Sequence, residues 1–254
     1  MHELLAVLPA GARVLDLGAR GGSFEAGRPD LTVVRLDLEI QTRRRSGTYV
    51  AGDAARMPFR AKSFDLIVAN HSLEHIVELE AALREVGRVA GPAGGLFVSV
   101  PDAGTLADRL YRWLGRGGGH VNPFRSPEEV AALVEGLTGL RHRGTRVLIS
   151  SFSFLNARNI PGRRQKKLAL FGFGSERFVA SMVWLLRAAD RLCGTRLSHY
   201  GWSFWFGAAE PPPAEAPWVN VCVRCGSGHP ASALPHGWSY RCPQCGGWNL
   251  FTRP

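Results

Sequence analysis

Lysine is almost missing from this chain of 254 residues: three, at positions 62, 166 and 167, stand among thirty-one basic residues. The basic character is arginine's, and an Arg-, Ala-, Gly- and Pro-rich composition is one that coding-sequence base content alone can produce. The formal net charge of +10 is therefore weak evidence by itself for a nucleic-acid partner. Long apolar runs are missing too. The opening Met1 to Pro9 has no basic n-region and too short an apolar stretch for a secretory leader, and Phe178 to Leu186 is too short to cross a bilayer. A cytoplasmic, reducing setting is expected, with room for peripheral attachment at a membrane. Only five cysteines are present, and in such a compartment two disulfides are the weaker reading of them. Acids are scarce in one place: between Arg141 and Arg196 twelve Lys/Arg face two acids, Glu176 and Asp190, whereas elsewhere nineteen basic residues balance nineteen acidic ones.

Four of the five cysteines are spaced for a metal. Cys222-Val-Arg-Cys225 and Cys242-Pro-Gln-Cys245 are two knuckles sixteen residues apart. Each C-x₂-C turn lets two thiolates converge on one ion, and the interval allows the chain to run out and return as a hairpin. The spacing predicts a four-cysteine zinc ribbon over 218–254, tied by the Pro-rich linker 208–217 to a domain over 1–207. Four thiolates close the coordination shell, so the Zn²⁺ is expected to be structural. Cys193 stands alone in an apolar stretch.

The first two hundred residues alternate strand and helix patterns. Short apolar runs at Arg13–Leu17, Leu31–Leu38, Thr48–Ala51, Phe64–Ala69 and Leu96–Val100 read as buried strands. Glu78–Val89, Thr105–Leu114, Ser126–Leu137 and Ser175–Leu192 read as helices, and Arg146–Ser150 and Tyr200–Phe206 as later strands. The expected fold class is α/β, a doubly wound Rossmann-like parallel sheet with a small C-terminal zinc-ribbon module.

In such sheets ligands bind beyond the carboxyl ends of the strands. After the first comes Asp16-Leu17-Gly18-Ala19-Arg20-Gly21-Gly22, and after the second Asp37, twenty-one residues on, the interval at which a carboxylate reaches a ribose. Gly52-Asp53-Ala54 follows the third and Asn70-His71-Ser72-Leu73 the fourth. These residues resemble the class I S-adenosylmethionine-dependent methyltransferases, in particular their type 11 branch. Val14 to Gly18 is similar to its first motif and Gly52 to Phe59 to its third; Ser63–Val68 with Leu73–Ile76, then Arg88–Leu96, follow in the same order and spacing. The resemblance is strong over 12–102 and weak to 207. It implies S-adenosylmethionine as cofactor, with Asp16 and the Gly18, Ala19, Arg20, Gly22 turn at the methionine, Asp37 at the ribose, Asp53 and Ala54 at the adenine edge, and Asn70 and Leu73 as floor. Two departures stand out: Arg20 replaces the family's middle glycine, and the Asp37–Asp53 interval leaves little room for a helix. A nicotinamide dinucleotide fits worse, because the loop reads Gly-x-x-Gly-Gly and an acid ends the strand before it.

A sulfonium donor needs alignment more than activation, and a base only when the nucleophile arrives protonated. His120, in the glycine loop 117–124, is the first candidate for acceptor contact, with His75 and His71 behind it. No Asn-Pro-Pro-Tyr follows the fourth strand, which argues against adenine, and no free cysteine lies near a strand end for cytosine. The expected reaction is methyl transfer to a small-molecule, lipid or glycan acceptor. Two alternatives stay open: an RNA methyltransferase tracking phosphates with the basic 141–196 segment and the ribbon, and a non-catalytic scaffold with a degenerate cofactor site. The aromatics of this region, Phe152, Phe154, Phe171, Phe173, Phe178, Trp184, Trp202 and Trp205, suit either an anionic membrane surface or a buried packing role. Sequence leaves the oligomeric state undefined.

Overall fold

The structure, a computed structural model, describes residues 2–25, 27–40, 46–115, 119–149, 152, 155, 175–211, 218–224, 227–234 and 239–250. Cys225, the basic residues at 163–167, three aromatics (Phe154, Phe171, Phe173) and linker positions 212–217 lie outside that set. The chain divides into two compact units, 1–101 with 119–145 and 202–213, and 102–118 with 146–201 and 214–254.

The first unit is built on a parallel sheet. Strand β1 (Arg13–Leu17) lies between β2 (Thr32–Asp37) and β4 (Phe64–Asn70), with Leu15 opposite Val34 on one side and Ile67 on the other. Outside these run β3 (Thr48–Ala51), parallel to β2, and β5 (Ala90–Pro101), parallel to β4. Residues 202–207 of β7 (His199–Gly207) and 142–145 of β6 (His142–Ile149) extend it, in the order β3-β2-β1-β4-β5-β7-β6. Central strands covered on both faces are apolar at most positions, and Val14, Leu15, Leu17, Ile67 and Val68 are fully buried.

The sheet is less regularly wound than its sequence suggests. Among the described residues no helix joins β1 to β2 or β2 to β3, and the β3–β4 link carries only a 3₁₀ turn at Ala54–Arg56. A short helix, α1 (His2–Val7), instead places Leu4 and Leu5 in the core with Val14, Phe24 and Leu31. β5 also begins earlier than the apolar run: Phe64 pairs with Ala90, then the register shifts so that Leu66 meets Gly95, and the glycine- and proline-rich residues between them absorb the irregularity.

Helix α2 (Leu79–Val89) buries Leu79, Ala82, Leu83, Val86 and Val89, a 3–4 spacing that lays one apolar stripe inward. It packs against α4 (Pro127–Thr138), which Ser126 caps by accepting a hydrogen bond from Glu129 N at 3.3 Å. A Cβ on Gly87 would lie 2.4 Å from the Thr138 carbonyl, so the helices close only over a glycine.

In the second unit, between α3 (Leu106–Gly115) and the C-terminal strands, α5 (Glu176–Cys193) is capped by Ser175 and ended by Gly194 in the left-handed region. Its buried Val179, Ala180 and Val183 pack with Phe152, Leu155 and Val223, and Trp248 and Leu250 join them. β8 (Trp218–Val221) runs parallel to β6, with Leu148 opposite Val219, and antiparallel to β9 (Gly228–His229). β10 (Ser239–Arg241) and β11 (Trp248–Leu250) form the returning hairpin. Where the sequence reads a module hung on a linker, these strands share their core with α5, because Val223, Trp248 and Leu250 need an apolar surface that so small a hairpin lacks.

Candidate functional site

A cleft of about 970 Å³ opens beyond the carboxyl ends of β1, β2 and β4, at the upper end of the range for small-molecule sites. Its walls include Gly18, Ala19, Arg20, Gly22, Asp37, Asp53, Ala54 and Asn70, so strand-end residues far apart in sequence converge. Gly18 has a φ of +70°, and a Cβ there would stand 2.5 Å from Ser72 Cβ. The loop therefore passes within contact of the β4 end only because position 18 has no side chain.

Arg20 adopts a φ of +46°, a left-handed conformation that explains why the family pattern has glycine there. Its backbone N–H donates to Asp37 Oδ2 at 2.7 Å, and Glu39 N–H donates to Oδ1 at 3.1 Å. Asp37 is thus held at the rim of the cleft. Asp53 caps the 3₁₀ turn by accepting from Ala55 N at 2.9 Å, and Asn70 Oδ1 accepts from Ser99 Oγ at 2.6 Å.

Two expected contributors point elsewhere. Leu73 is buried and absent from the cleft walls; its neighbours His71 and Ser72 line them. Asp16 is fully buried, and its carboxylate accepts from Ser23 N at 2.9 Å and Ser23 Oγ at 2.6 Å and pairs with the guanidinium of Arg35. Burial pushes its carboxyl above the usual carboxylate value, opposed by the two Ser23 hydrogen bonds and by Arg35. Asp16 organises the glycine loop from behind. Arg35 escaped the sequence reading because it sits mid-strand in Thr-Val-Val-Arg-Leu-Asp, where an apolar residue is the rule. Also missed were Leu38 and Val77, 72% and 82% exposed on the cleft wall, which offer apolar contact to a flat ligand. Leu38's place directly after Asp37 was the available signal.

His75 and His120 are brought together, and His71 lies beside Glu74. His71, with a φ of +52°, holds Nδ1 3.7 Å from Glu74 Oε1, and the rings of His75 and His120 meet edge to face at 4.9 Å. The loop carrying His120 is sewn to the segment after β4: Val121 N and Asn122 N donate to Glu74 O at 2.8 and 3.2 Å, and Asn122 Nδ2 donates to the carbonyls of Leu73 and Ile76 at 2.8 and 2.7 Å. His71 and His75 line the cleft.

In the second unit, Cys222, Cys242 and Cys245 bring their sulfurs within 4.8 Å of one another, Cys222 and Cys245 at 3.7 Å. Tetrahedral Zn–S bonds of about 2.3 Å imply sulfurs about 3.8 Å apart, which this spacing matches. Arg224 N, Gly247 N and Asn249 Nδ2 each donate to a sulfur at 3.3 to 3.4 Å, as anionic thiolates require. Asn249 thus reaches Cys222, a contact that the cysteine spacing gave no sign of.

A methyltransferase-domain family model matches residues 1–139, more than half of the chain. The chain belongs to the class I S-adenosylmethionine-dependent methyltransferases. Among curated relatives, this methyltransferase is 32% identical over 185 residues to a malonyl-[acyl-carrier protein] O-methyltransferase of Methylococcus capsulatus, covering 63% of this chain and 67% of that one. It is 31% identical over 144 residues to a ubiquinone biosynthesis O-methyltransferase of Xanthomonas oryzae pv. oryzae, 48% of this chain and 60% of the other. With a demethylmenaquinone methyltransferase of a Roseiflexus species it shares 36% identity over 98 residues, 34% and 41% of the two chains. The match thus spans less than two thirds of the length of the latter two. Of solved structures, the YcgJ protein of Bacillus subtilis superposes with a TM-score of 0.52 at 20% identity, over 81% of this chain and 97% of that one. A phosphoethanolamine N-methyltransferase of Haemonchus contortus, solved with S-adenosylhomocysteine, superposes at 0.50 and 18% identity over 82% and 52%. These likenesses establish the fold. No described helix is long and apolar enough to cross a membrane.

Proposed function

We propose that this enzyme moves a methyl group from S-adenosylmethionine to an oxygen of a small-molecule acceptor, lipid-like or carried on a larger molecule. The observation that carries the reading is that the glycine loop, Asp37 and Asp53 share the walls of one cleft with His71 and His75. Within it Asp37 accepts the ribose hydroxyls, Asp53 and Ala54 meet the adenine edge, Leu38 and Val77 flank the base, and the backbone of Gly18 to Gly22 receives the methionine end. Asp16 and Arg35 hold that loop from below. The donor supplies an activated methyl; the chain's task is to align the acceptor oxygen with it, exclude water and accommodate the acceptor's proton. Oxygen is favoured because two of the relatives above are named O-methyltransferases and because the imidazoles of His71 and His75 line the same cleft, where they can take an acceptor's proton.

A lipid-like acceptor is supported in the second unit, where Trp113 of α3 and Leu185 and Leu192 of α5 are 76%, 60% and 86% exposed on helices that also carry the exposed Arg109, Arg177 and Arg191. Phe152, Trp202 and Trp205 are buried and serve packing instead. The ribbon's three described thiolates, together with Cys225, are read as a structural Zn²⁺ site.

The test is incubation of the purified protein and methyl-labelled S-adenosylmethionine with a cell extract, followed by partition. Label entering the organic or small-molecule fraction is expected. Label in RNA would replace this reading with RNA methylation, and no label despite cofactor binding would leave a scaffold.

A further inference from the structure

Glu74 is a carboxylate in the wrong place for an idle surface acid. Its side chain is 2% exposed, Oε2 accepts no hydrogen bond among the described residues, and its described ion-pair neighbour is a histidine, His71, at 3.7 Å. A buried carboxylate with an unsatisfied oxygen costs several kcal/mol in general unless something cationic sits beside it. One ring nitrogen of His75, one of His120 and a Glu74 oxygen all lie within 4.8 Å of one another. His75 Nδ1 is 3.0 Å from the Gly119 carbonyl; the tautomer that donates from Nδ1 to this oxygen leaves Nε2 as the nitrogen that can ligate a metal. The fixing of loop 119–122 by four hydrogen bonds to residues 73–76 means that His120 is delivered to this spot by design of the backbone.

We infer that Glu74, His75 and His120 form a binding site for a divalent transition-metal cation beside the cleft, which it meets through His75. One carboxylate and two imidazoles are borderline donors, suited to Mn²⁺, Fe²⁺, Co²⁺ or Zn²⁺, and as three ligands they leave coordination positions open. Donors bound at about 2.1 Å lie about 3 Å apart, so the three groups need to draw together by less than about 2 Å to close on an ion. This site is separate from the cysteine cluster and differs from it in kind, oxygen and nitrogen donors against sulfur.

Its use rests on the methyl-transfer reading. An acceptor hydroxyl that ligates the cation becomes a stronger acid and gives its proton to solvent. The resulting oxygen attacks the methyl carbon, an O–CH₃ bond forms as the S–CH₃ bond breaks, and the electron pair stays on sulfur, leaving neutral S-adenosylhomocysteine.

The test is titration of the full-length, zinc-loaded protein with Mn²⁺, following the free-ion electron paramagnetic resonance signal, alongside calorimetry with S-adenosylhomocysteine. Wild type is expected to withdraw one equivalent of Mn²⁺, and Glu74→Gln and His120→Asn each to weaken that binding about tenfold or more. His120 is half-buried on a loop, so its variant answers even if the change at buried Glu74 prevents folding. No uptake of Mn²⁺, or uptake unchanged in both variants, overturns the inference. Nucleotide binding without Mn²⁺ uptake overturns the cation site alone, whereas Mn²⁺ uptake without nucleotide binding upholds the site and overturns the methyl-transfer reading.

Discussion

Replacing Arg35 by methionine is expected to be among the most damaging single changes in the first unit. The guanidinium is fully buried, pairs with Asp16, and donates from Nη2 to the Phe24 carbonyl at 2.7 Å and from Nε to the Ser46 carbonyl at 2.9 Å. It also stacks 4.9 Å from the Phe24 ring centroid. Methionine matches the stem's volume but leaves one buried carboxylate and two carbonyls without their donor. Removing one partner of a buried pair costs about 3–5 kcal/mol, or roughly 6–20 °C in melting temperature for a chain of this size. The sign of the pH dependence follows from Asp16. Its folded-state pKa already lies above the unfolded value, so the ionised form destabilises the fold, by an amount that grows as pH rises from the unfolded value through the folded one. Without Arg35 the folded value rises further, and the deficit is greater at pH 8 than at pH 5. Thermal and urea melts of Arg35→Met at both pH values, with Asp16→Asn/Arg35→Met as the cycle partner, read this out. A deficit below about 1 kcal/mol, equal at both pH values and not relieved in the double variant, would refute the reasoning.

Gly18→Ala combines a left-handed φ with a 2.5 Å approach to Ser72; a loss of about 2–4 kcal/mol in stability together with weaker S-adenosylhomocysteine binding by calorimetry is expected. Asp37→Ala leaves the strand intact but removes the acceptor held by Arg20 N and Glu39 N, and nucleotide affinity should fall about tenfold or more, with melting little changed. Stripping metal with a chelator should release one zinc per chain and, because Val223, Trp248 and Leu250 share a core with α5, should speed amide exchange at Val179–Val183 as well as in the hairpin. Exchange confined to 218–250 would contradict that coupling.

The strand ends were readable because each follows a short apolar run and is followed by a residue that only a ligand or a turn requires: Gly18, Asp37, Asp53, Asn70. Spacing also pointed to Cys222, Cys242 and Cys245, whose sulfurs meet. Asp16's inward orientation was not readable, since it depends on a partner nineteen residues away whose charge contradicts the pattern of a buried strand. Nor was Leu73, which shares a segment with cleft residues but is rotated into the core. The meeting of Glu74 and His75 with His120 arises from hydrogen bonds to backbone carbonyls, and backbone carbonyls carry no sequence signature. The embedding of the tail was hidden for a related reason: β8 pairs with β6 across some seventy residues, a contact that local periodicity cannot register.

That last pairing bears on synthesis. The second unit draws on 102–118, 146–201 and 214–254, and the first takes 202–213 from between them. While the ribosome is still adding residues beyond 201, the first unit lacks the 202–207 portion of a sheet strand and the second lacks β8 and the hairpin that covers α5. Exposed strand edges and the apolar side of α5 must then wait for the last fifth of the chain, the period in which chaperone contact or aggregation is most favoured. Truncations meant to isolate either unit would have to cut across the other.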